Sequence, residues 1–248
     1  MALGRVDAER KRRVKVPGAE VLEIDGLVLA LSNVSDPALN SIVVEHEPSD
    51  VLASLRTAER EFRRRGHALG IDLQVGRHPS VDAAVRELGL TLIIERPGMA
   101  VALGSLAVTA APSGVEIRAV VDEADATALV DVGVRAFDDD PDVAGGFYAA
   151  GAYGVPGAMT FVAWEDGAPV AIAACYLCDG AVGVFGVGVV PQARRRGIGA
   201  AITAHAARAF PGADLVWLHP TDMAMGVYGR LGFERVSDWE VWVRVTEA

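Results

Sequence analysis

The sequence predicts an α/β (α+β) fold composed of two similar halves. Short apolar strand patterns alternate with amphipathic helix patterns along the 248 residues, and two Asp-Gly pairs join neighbouring strands as tight hairpins do. The order of elements in the first half recurs in the second. A hydrophobic content of 51% provides enough apolar side chains for a sizeable core, and the length allows one large or two small domains.

The first half of the chain is predicted to alternate strands with two helices. The strand patterns cover residues 26–34, 40–47, 67–75, 90–95 and 99–110, and the helix patterns cover residues 51–65 and 79–88. Pro48 ends the second strand, and Ser49 or Asp50 is suited to cap the helix that follows. Pro97-Gly98 is predicted to break the last strand region, because proline cannot donate to a strand ladder.

The second half is predicted to contain more strands and both hairpins. The strand patterns cover residues 115–120, 159–165, 169–177, 181–190, 215–218, 233–236 and 240–245, and the helix patterns cover residues 122–137, 143–150, 197–210 and 224–231. The pairs Asp166-Gly167 and Asp179-Gly180 favour two-residue turns, since both central residues of such a turn need positive φ. The acidic segment 138–141 predicts a turn after the first of these helices.

An internal repeat relates the two halves. A shift of 143 residues places Pro48 on Pro191 and Gly89 on Gly232, with the same order of strands and helices between them. This pattern indicates a duplication followed by divergence. We therefore predict a basic flexible arm over residues 1–20, a first copy over 21–110, a linker over 111–114 and a second copy over 115–248.

The net charge of −10 is unevenly distributed along the chain. Residues 1–110 hold 14 Lys and Arg against 15 Asp and Glu, whereas residues 111–248 hold 9 against 18. The negative field of the second part disfavours nucleic acid and favours a small cationic partner. Three of its nine basic residues are consecutive, at positions 194–196, and this local exception indicates an anion-binding site.

No segment of the sequence predicts a membrane or secretory role. The apolar runs fall short of the roughly 20 residues that a spanning helix needs, and no signal-peptide pattern follows the basic N-terminus. Cys175 and Cys178 lie three apart in a strand pattern and therefore point to opposite faces. With no second pair to complete a zinc site, they are predicted to be apolar fillers rather than metal ligands or a disulfide. We expect a cytoplasmic protein without a bound metal.

The stretch from Gly186 to Phe210 is the most informative part of the sequence. It predicts an apolar strand, a proline, a basic loop with two glycines and then a helix. The first N–H groups of a helix have no intrahelical partner and carry positive potential, and glycine allows a ligand to approach the backbone closely. This stretch is therefore predicted to bind phosphate; the alternative is a solvated basic turn.

Two segments of the second copy carry a family resemblance. Arg194–Gly199 has the pattern Arg or Gln, two residues, Gly, one residue, then Gly or Ala, and Tyr228–Phe233 has the pattern Tyr-x-x-Leu-Gly-Phe. In this order and spacing, the segments resemble the GNAT superfamily of acyl-CoA-dependent N-acyltransferases. The resemblance covers about residues 113–248, and the first copy is similar to the degenerate N-terminal half of tandem members.

The resemblance implies a fold and a co-substrate site. It implies two GNAT-like domains, each a mixed, bent sheet flanked by helices, of which the N-terminal one is incomplete. Acetyl-CoA would lie in a splay between the fourth and fifth strands of the second. Backbone groups of Val187, Gly188 and Val189 would then bind the pantetheine arm and polarise the thioester. The pyrophosphate would be held by Arg194, Arg195, Arg196, Gly197, Ile198, Gly199 and Ala200, mainly through backbone N–H groups. The equivalent stretch of the first copy lacks these glycines, so one CoA per chain is expected.

The resemblance also implies catalytic residues. Tyr228 would be the general acid that protonates the departing thiolate, with a packed helix tyrosine as the alternative. The fourth strand lacks the carboxylate that many members use as a base. His219 is a possible base, directly or through water, with a structural histidine as the alternative, and Glu165, Asp179 and Glu240 are weaker candidates.

The leading functional hypothesis is an N-acetyltransferase that moves an acetyl group from acetyl-CoA to a primary amine by direct attack. The acceptor would be a small cationic amine or a peptide. The alternatives are a non-catalytic acyl-CoA-binding sensor module, favoured by the missing carboxylate, and an enzyme that transfers a longer acyl group. No nucleic acid or membrane partner is expected, and the chain would be a monomer or a homodimer.

Overall fold

The computed structural model describes residues 20–32, 40–145 and 153–245, except for the side chains of Asp142 and Val143. These residues form two compact units. The first unit contains the residues up to Gly98 together with those from Val236 onward, and the second unit contains Met99–Arg235. The predicted arm over residues 1–20 lies outside the described residues apart from Glu20, as does most of the predicted helix over 143–150.

Strands and helices alternate along the chain, as the α/β prediction requires. The strands are β1 (Glu20–Ile24), β2 (Leu27–Leu31), β3 (Ser41–Val44), β4 (Gly70–Gln74), β5 (Thr91–Ala102), β6 (Val115–Ala119), β7 (Ala158–Glu165), β8 (Ala168–Cys178), β9 (Ala181–Val189), β10 (Leu215–Leu218) and β11 (Glu234–Val243). The helices are α1 (Val51–Arg64), α2 (Pro79–Glu87), α3 (Glu123–Phe137), α4 (Pro141–Ala144), α5 (Ile198–Ala207) and α6 (Met225–Arg230). Short 3₁₀ turns cover Leu103–Ser105, Pro191–Ala193 and Asp222–Ala224. None of the described helices has the length and apolar composition needed to cross a bilayer.

The first unit is built on a mixed sheet. Its strand order is β1-β2-β3-β4-β11, in which β3 and β4 run parallel and the other neighbours run antiparallel. Helix α1 buries Leu55, Ala58 and Phe62 completely in the core of this unit. The helix therefore has the amphipathic character that the sequence pattern predicts.

The second unit is also built on a mixed sheet. The order is β5-β10-β9-β8-β7-β6, and only β9 and β10 run parallel. A Cβ on Gly188 of β9 would lie 2.8 Å from the ring of Phe137 in α3, whereas a Cβ on Gly199 of α5 would lie 3.4 Å from Val189. Because successive strand residues point to opposite faces, α3 and α5 cover opposite faces of this sheet.

Asp-Gly turns join three pairs of antiparallel strands. The two predicted hairpins are confirmed, since Asp166 (φ 49°), Gly167 (φ 80°), Asp179 (φ 47°) and Gly180 (φ 75°) all have positive φ. A third turn, Asp25-Gly26, joins β1 to β2 with the same geometry. The prediction of Gly26 inside a strand is therefore wrong, although the sequence carries the same hairpin signal there.

Two predicted breaks in the strands are wrong. β5 continues through Pro97-Gly98, and β11 is a single strand rather than the separate strands 233–236 and 240–245. A Cβ on Gly98 would lie only 2.3 Å from Ser237 Oγ, so this glycine serves close packing instead of ending the strand. In β11, the pairing of Trp239–Val243 with β4 keeps the polar middle of the strand extended.

The 143-residue shift relates the observed elements as well as the sequence. It carries Thr91, the first residue of β5, onto Glu234, the first residue of β11, and Pro79 at the start of α2 onto Asp222 at the 3₁₀ turn before α6. The last strand of each copy nevertheless pairs with the other copy: β11 pairs with β4, and β5 pairs with β10. The compact units therefore differ from the sequence copies 21–110 and 115–248, whose boundaries stay a prediction.

Candidate functional site

The sheet of the second unit opens between β9 and β10. The two strands pair over three positions that end at Trp217↔Gly183, whereas β9 continues for six further residues. In this continuing part, a register shift against β8 and the positive φ of Gly186 (58°) mark a bulge. The backbone of Val187–Val189 thus lies beyond the paired stretch, where the family resemblance puts the pantetheine arm.

The loop after β9 turns its backbone sharply before α5. Arg195 (φ 64°) and Gly197 (φ 86°) both adopt left-handed conformations. Gly197 is the N-cap of α5, and no side chain caps this helix. Backbone turns of this kind gather N–H groups into a concave anion site, and the helix dipole adds positive potential. A Cβ on Gly197 would meet nothing within 4 Å, so the backbone conformation, and not a steric neighbour, accounts for the glycine.

Arg194 connects this loop to strand β9 and to helix α3. Its Nε donates to the Val189 carbonyl at 2.9 Å, and its Nη2 donates to the Ala136 carbonyl at 2.8 Å. A guanidinium at the C-terminal end of α3 also interacts favourably with the helix dipole. Because these donors are committed to backbone carbonyls, Arg194 shapes the loop.

Arg196 forms an ion pair within the protein. Its Nη1 donates to Glu165 Oε2 at 2.8 Å, and its Nη2 donates to the other carboxylate oxygen. This bidentate contact lowers the pKa of Glu165 and raises the pKa of Arg196. Glu165 is therefore ionised and already engaged, which makes it a poor general base. Arg195 is also exposed at this loop and adopts the left-handed conformation described above.

Tyr228 is connected to α5 by hydrogen bonds. Its side chain is only 6% exposed and packs edge to face against Phe233, with ring centroids 5.8 Å apart. Its hydroxyl is hydrogen-bonded to Thr203, whose own hydroxyl donates to the Gly199 carbonyl at 2.7 Å. Since the Thr203 proton is used on Gly199, the Tyr228 hydroxyl is the donor to Thr203. The candidate acid is thus linked to the first turn of the loop helix.

Burial changes the acidity of Tyr228. Desolvation raises the pKa of this phenol to about 12, against the opposing effect of the hydrogen bond with Thr203. The phenol therefore keeps its proton throughout the physiological range. A thiol has an ordinary pKa of about 8.5, so complete proton transfer from Tyr228 to a thiolate is uphill. Hydrogen-bond donation is consequently the more favourable contribution of this group.

His219 belongs to a different set of side chains. It follows β10 directly, is half-buried, and packs edge to face against Trp217 with ring centroids 4.8 Å apart. Of the weaker base candidates, Glu240 lies in the first unit, where it accepts from Trp242 Nε1 at 2.8 Å, and Asp179 occupies a hairpin turn. His219 thus remains the base candidate at the end of β10.

The two cysteines are free thiols in β8. Cys175 is buried, contacts the Met159 carbonyl at 3.5 Å, and has a pKa raised to about 12 by burial. Cys178 is half-buried. A thiol with so high a pKa is a weak nucleophile at neutral pH, in accord with the predicted role of Cys175 as an apolar filler. Within residues 20–32, 40–145 and 153–245, no group of three His, Cys, Asp or Glu side chains is arranged to hold a metal ion.

Sequence reasoning missed Thr203 and named Glu165 only as a weaker base candidate, not as the partner of Arg196. Thr203 is fully buried and supports Tyr228, and its signal in the sequence is a hydroxyl within the otherwise apolar stretch 198–204. Glu165 is the partner of Arg196, but the 31 residues between them leave no local pattern that could reveal the pair. The first is detectable from the sequence, whereas the second depends on how β7 is placed beside the loop.

Comparisons with known proteins agree with this geometry. A family model described as an acetyltransferase (GNAT) domain matches residues 156–235, which include the loop, Thr203 and Tyr228. No curated protein sequence matches the chain significantly. The family match therefore rests on the part of the second unit that carries the candidate site.

Solved structures extend the similarity over the whole chain. A GCN5-related N-acetyltransferase from Kribbella flavida is 26% identical with a TM-score of 0.79, covering 99% of this chain and 95% of that chain. A functionally unknown conserved protein from Staphylococcus epidermidis is 17% identical with a TM-score of 0.67, covering 94% and 96%. A tandem GNAT protein from the clavulanic acid biosynthesis pathway is 16% identical with a TM-score of 0.66, covering 98% and 89%. The last two show similarity of fold alone. Together, the comparisons confirm the superfamily resemblance and the mixed α/β fold.

Proposed function

We propose, on the premise that this chain is an N-acyltransferase of the GNAT superfamily, that it transfers an acetyl group from acetyl-CoA to a primary amine. The observation that carries the proposal is the first turn of α5, which no side chain caps and which follows the opening between β9 and β10. CoA combines a pyrophosphate with a narrow pantetheine arm. An anion site beside an open strand edge suits both parts of this molecule.

Different residues of the loop and of β9 are proposed to bind different parts of CoA. Backbone N–H groups of Gly197, Ile198, Gly199 and Ala200 would hold the pyrophosphate, while Arg195 adds charge from its exposed position. Arg194 would act mainly by holding the loop, given its contacts with backbone carbonyls, whereas the charge of Arg196 is largely engaged by Glu165. Backbone groups of Val187, Gly188 and Val189 would bind the pantetheine arm and polarise the thioester carbonyl.

The proposed reaction is direct transfer. The amine nitrogen attacks the thioester carbonyl carbon, a C–N bond forms, the C–S bond breaks, and the acceptor nitrogen loses one proton. Tyr228 is the proposed acid: its O–H turns from Thr203 to donate a hydrogen bond to the departing sulfur. The thiolate then takes up one proton from solvent, which balances the proton that the acceptor nitrogen gives up, so the products are the amide and the CoA thiol. His219 is the proposed base that takes the proton from nitrogen, directly or through water, with its ring oriented by Trp217.

Tyr228→Phe tests the assigned role of the phenol. We expect turnover to fall on the order of 100-fold with CoA affinity unchanged, because the hydroxyl acts on the leaving group and not on the bound nucleotide. The measurement is thiol release from acetyl-CoA with a panel of primary amines, together with calorimetric CoA binding. Tyr153→Phe, at an exposed tyrosine, is the matched control and should leave both quantities unchanged. Unchanged turnover in Tyr228→Phe would refute the acid role.

The same assay distinguishes the competing functions. Tight CoA binding without thiol release for any amine would favour a non-catalytic sensor. Faster release from longer acyl-CoA donors than from acetyl-CoA would instead identify a different acyl group as the substrate. An N-acetylated product detected by mass spectrometry is the result expected here.

A further inference from the structure

Four aromatic side chains form a row on one face of the sheet of the second unit. The row consists of Tyr176 in β8, Phe185 in β9, Trp217 in β10 and His219 just after β10. Each ring contacts the next one in this order. The ring centroids are 5.7, 5.6 and 4.8 Å apart, and the interplanar angles are 67°, 90° and 86°. Edge-to-face contacts in this distance range are attractive, so the rings support one another's orientation.

A glycine makes this row possible. Gly183 is opposite Tyr176 on one side and Trp217 on the other, because both are its register partners. A Cβ on Gly183 would lie 2.6 Å from the Phe185 ring and 3.0 Å from Trp217 Nε1. The Phe185 ring therefore lies over Gly183, between the rings of the two neighbouring strands. A residue with a side chain at this position would force the Phe185 ring away.

The row borders the opening between the strands. The pair Trp217↔Gly183 is the last one that joins β10 to β9, and Phe185 lies just beyond it on the continuing part of β9. Trp217 is completely buried, whereas Tyr176, Phe185 and His219 are half-buried. Trp217 is thus the support of the row, and the three other rings keep surface that a small molecule can contact.

The strands that carry the row have no charge. β8, β9 and β10 contain no Asp, Glu, Lys or Arg along Ala168–Cys178, Ala181–Val189 and Leu215–Leu218. A substrate with several ammonium groups would find no carboxylate on these strands. A flat apolar group, in contrast, would gain ring contacts and lose little hydration. Such an acceptor carries a single ammonium group, and the net negative charge of the chain attracts it.

We propose that the acceptor is a primary amine carried on an aromatic ring, and that the row Tyr176–Phe185–His219, supported by Trp217, binds that ring. This inference rests on the proposed function, since it identifies the acceptor class of the same site. It narrows the predicted small cationic amine or peptide to an amine that carries an aromatic ring. The acceptor ring packs against Phe185 and Tyr176, and its amine extends toward His219.

The test compares three primary amines of similar size by calorimetry, with and without saturating CoA. The probes are 2-phenylethylamine, its saturated analogue 2-cyclohexylethylamine, and n-hexylamine. We expect 2-phenylethylamine to bind roughly three- to tenfold more tightly than either other amine, the range that aromatic pairs give beyond their buried area. In Phe185→Leu this preference should disappear while CoA affinity is retained. Equal or tighter binding of the non-aromatic amines, or no binding of any of them, would overturn the inference.

Two further variants guard against misfolding as the cause. Phe210→Leu, at a half-buried phenylalanine beyond the C-terminal end of α5, should keep the preference. Gly183→Ala, which displaces the Phe185 ring without removing it, should weaken the preference as Phe185→Leu does. Thiol release that does not discriminate among the amines overturns the aromatic acceptor and leaves the proposed function intact. A binding preference for 2-phenylethylamine without any thiol release would overturn the proposed function and leave the binding of the aromatic ring intact.

Discussion

The two strand-to-helix junctions at equivalent positions of the repeat differ in how the first N–H groups of the helix are satisfied. Each helix begins with N–H groups that have no intrahelical partner and with positive potential. In the first unit, Asp50 caps α1 by accepting from the Ala53 N–H at 3.0 Å. Asp25 also accepts there, from the N–H and the hydroxyl of Ser49 at 2.8 Å each and from the Ser54 hydroxyl at 3.1 Å. In the second unit, no side chain caps α5.

Under the proposed function, this difference accounts for CoA binding at the second junction and not at the first. Two carboxylates already supply the negative charge that the start of α1 attracts, and they would repel a phosphate. At α5, Gly197 contributes no side chain, and the loop carries Arg195 instead of a carboxylate. Gly197 therefore matters in two ways: it permits the left-handed backbone, and it contributes no carboxylate at the start of the helix.

The largest change in CoA affinity is expected from a carboxylate placed at the start of α5. Gly197→Asp and Gly197→Asn introduce side chains of equal size, and both residue types tolerate a left-handed conformation. Only the aspartate repels the pyrophosphate. At low salt we expect CoA to bind roughly 10- to 100-fold more weakly to Gly197→Asp than to Gly197→Asn, with a smaller gap at high salt. Equal CoA affinities by calorimetry would refute the electrostatic account.

A smaller effect is expected from releasing Arg196 from its ion pair with Glu165. Glu165→Gln weakens the hold on Arg196 and makes its charge available to phosphate, so CoA affinity should rise about two- to fivefold. Glu116→Gln, at an exposed position of β6, removes the same charge elsewhere and is the control for net charge. Weaker CoA binding in Glu165→Gln would mean that the ion pair holds the loop in its binding conformation.

The smallest effect on CoA, ideally none, is expected from removing the internal anion of the first unit. Hydrogen bonds from Ser49 hold the pKa of Asp25 below its ordinary value of 3.8. A depressed pKa stabilises the fold at pH values above the unfolded-state pKa, and this contribution is lost as the pH falls through the folded-state pKa. Asp25→Asn should therefore lower stability at neutral pH and flatten its loss in acid, as measured by urea unfolding across pH. A matching loss of CoA affinity would show that the two junctions are not independent.

Local signals in the sequence were sufficient for much of the fold and the loop. Capping by Asp50, the Asp166-Gly167 turn and the left-handed Gly197 each depend on residues within a few positions, so their patterns are visible in the chain. The partner of Arg196 is not visible, because it depends on which strand lies beside the loop. The continuation of β5 through Gly98 is equally hidden, since it depends on the approach of Ser237 from a distant part of the chain. The acidity of Tyr228 follows from burial, which no motif encodes.

The exchange of final strands between the two copies has a consequence for biosynthesis. Chains usually begin to fold from the N-terminus while they are still being translated. Here β4 can pair with β3, but it lacks its second neighbour until β11, which ends at Val243, has left the ribosome. A nascent chain must therefore carry an unfinished first sheet, with an open edge, until residues 239–243 have been synthesised. A fragment that starts at residue 115 has the opposite defect, because it lacks the β5 residues that pair with β10. We therefore expect the two predicted copies to fold together, and we expect neither to be stable when it is expressed alone.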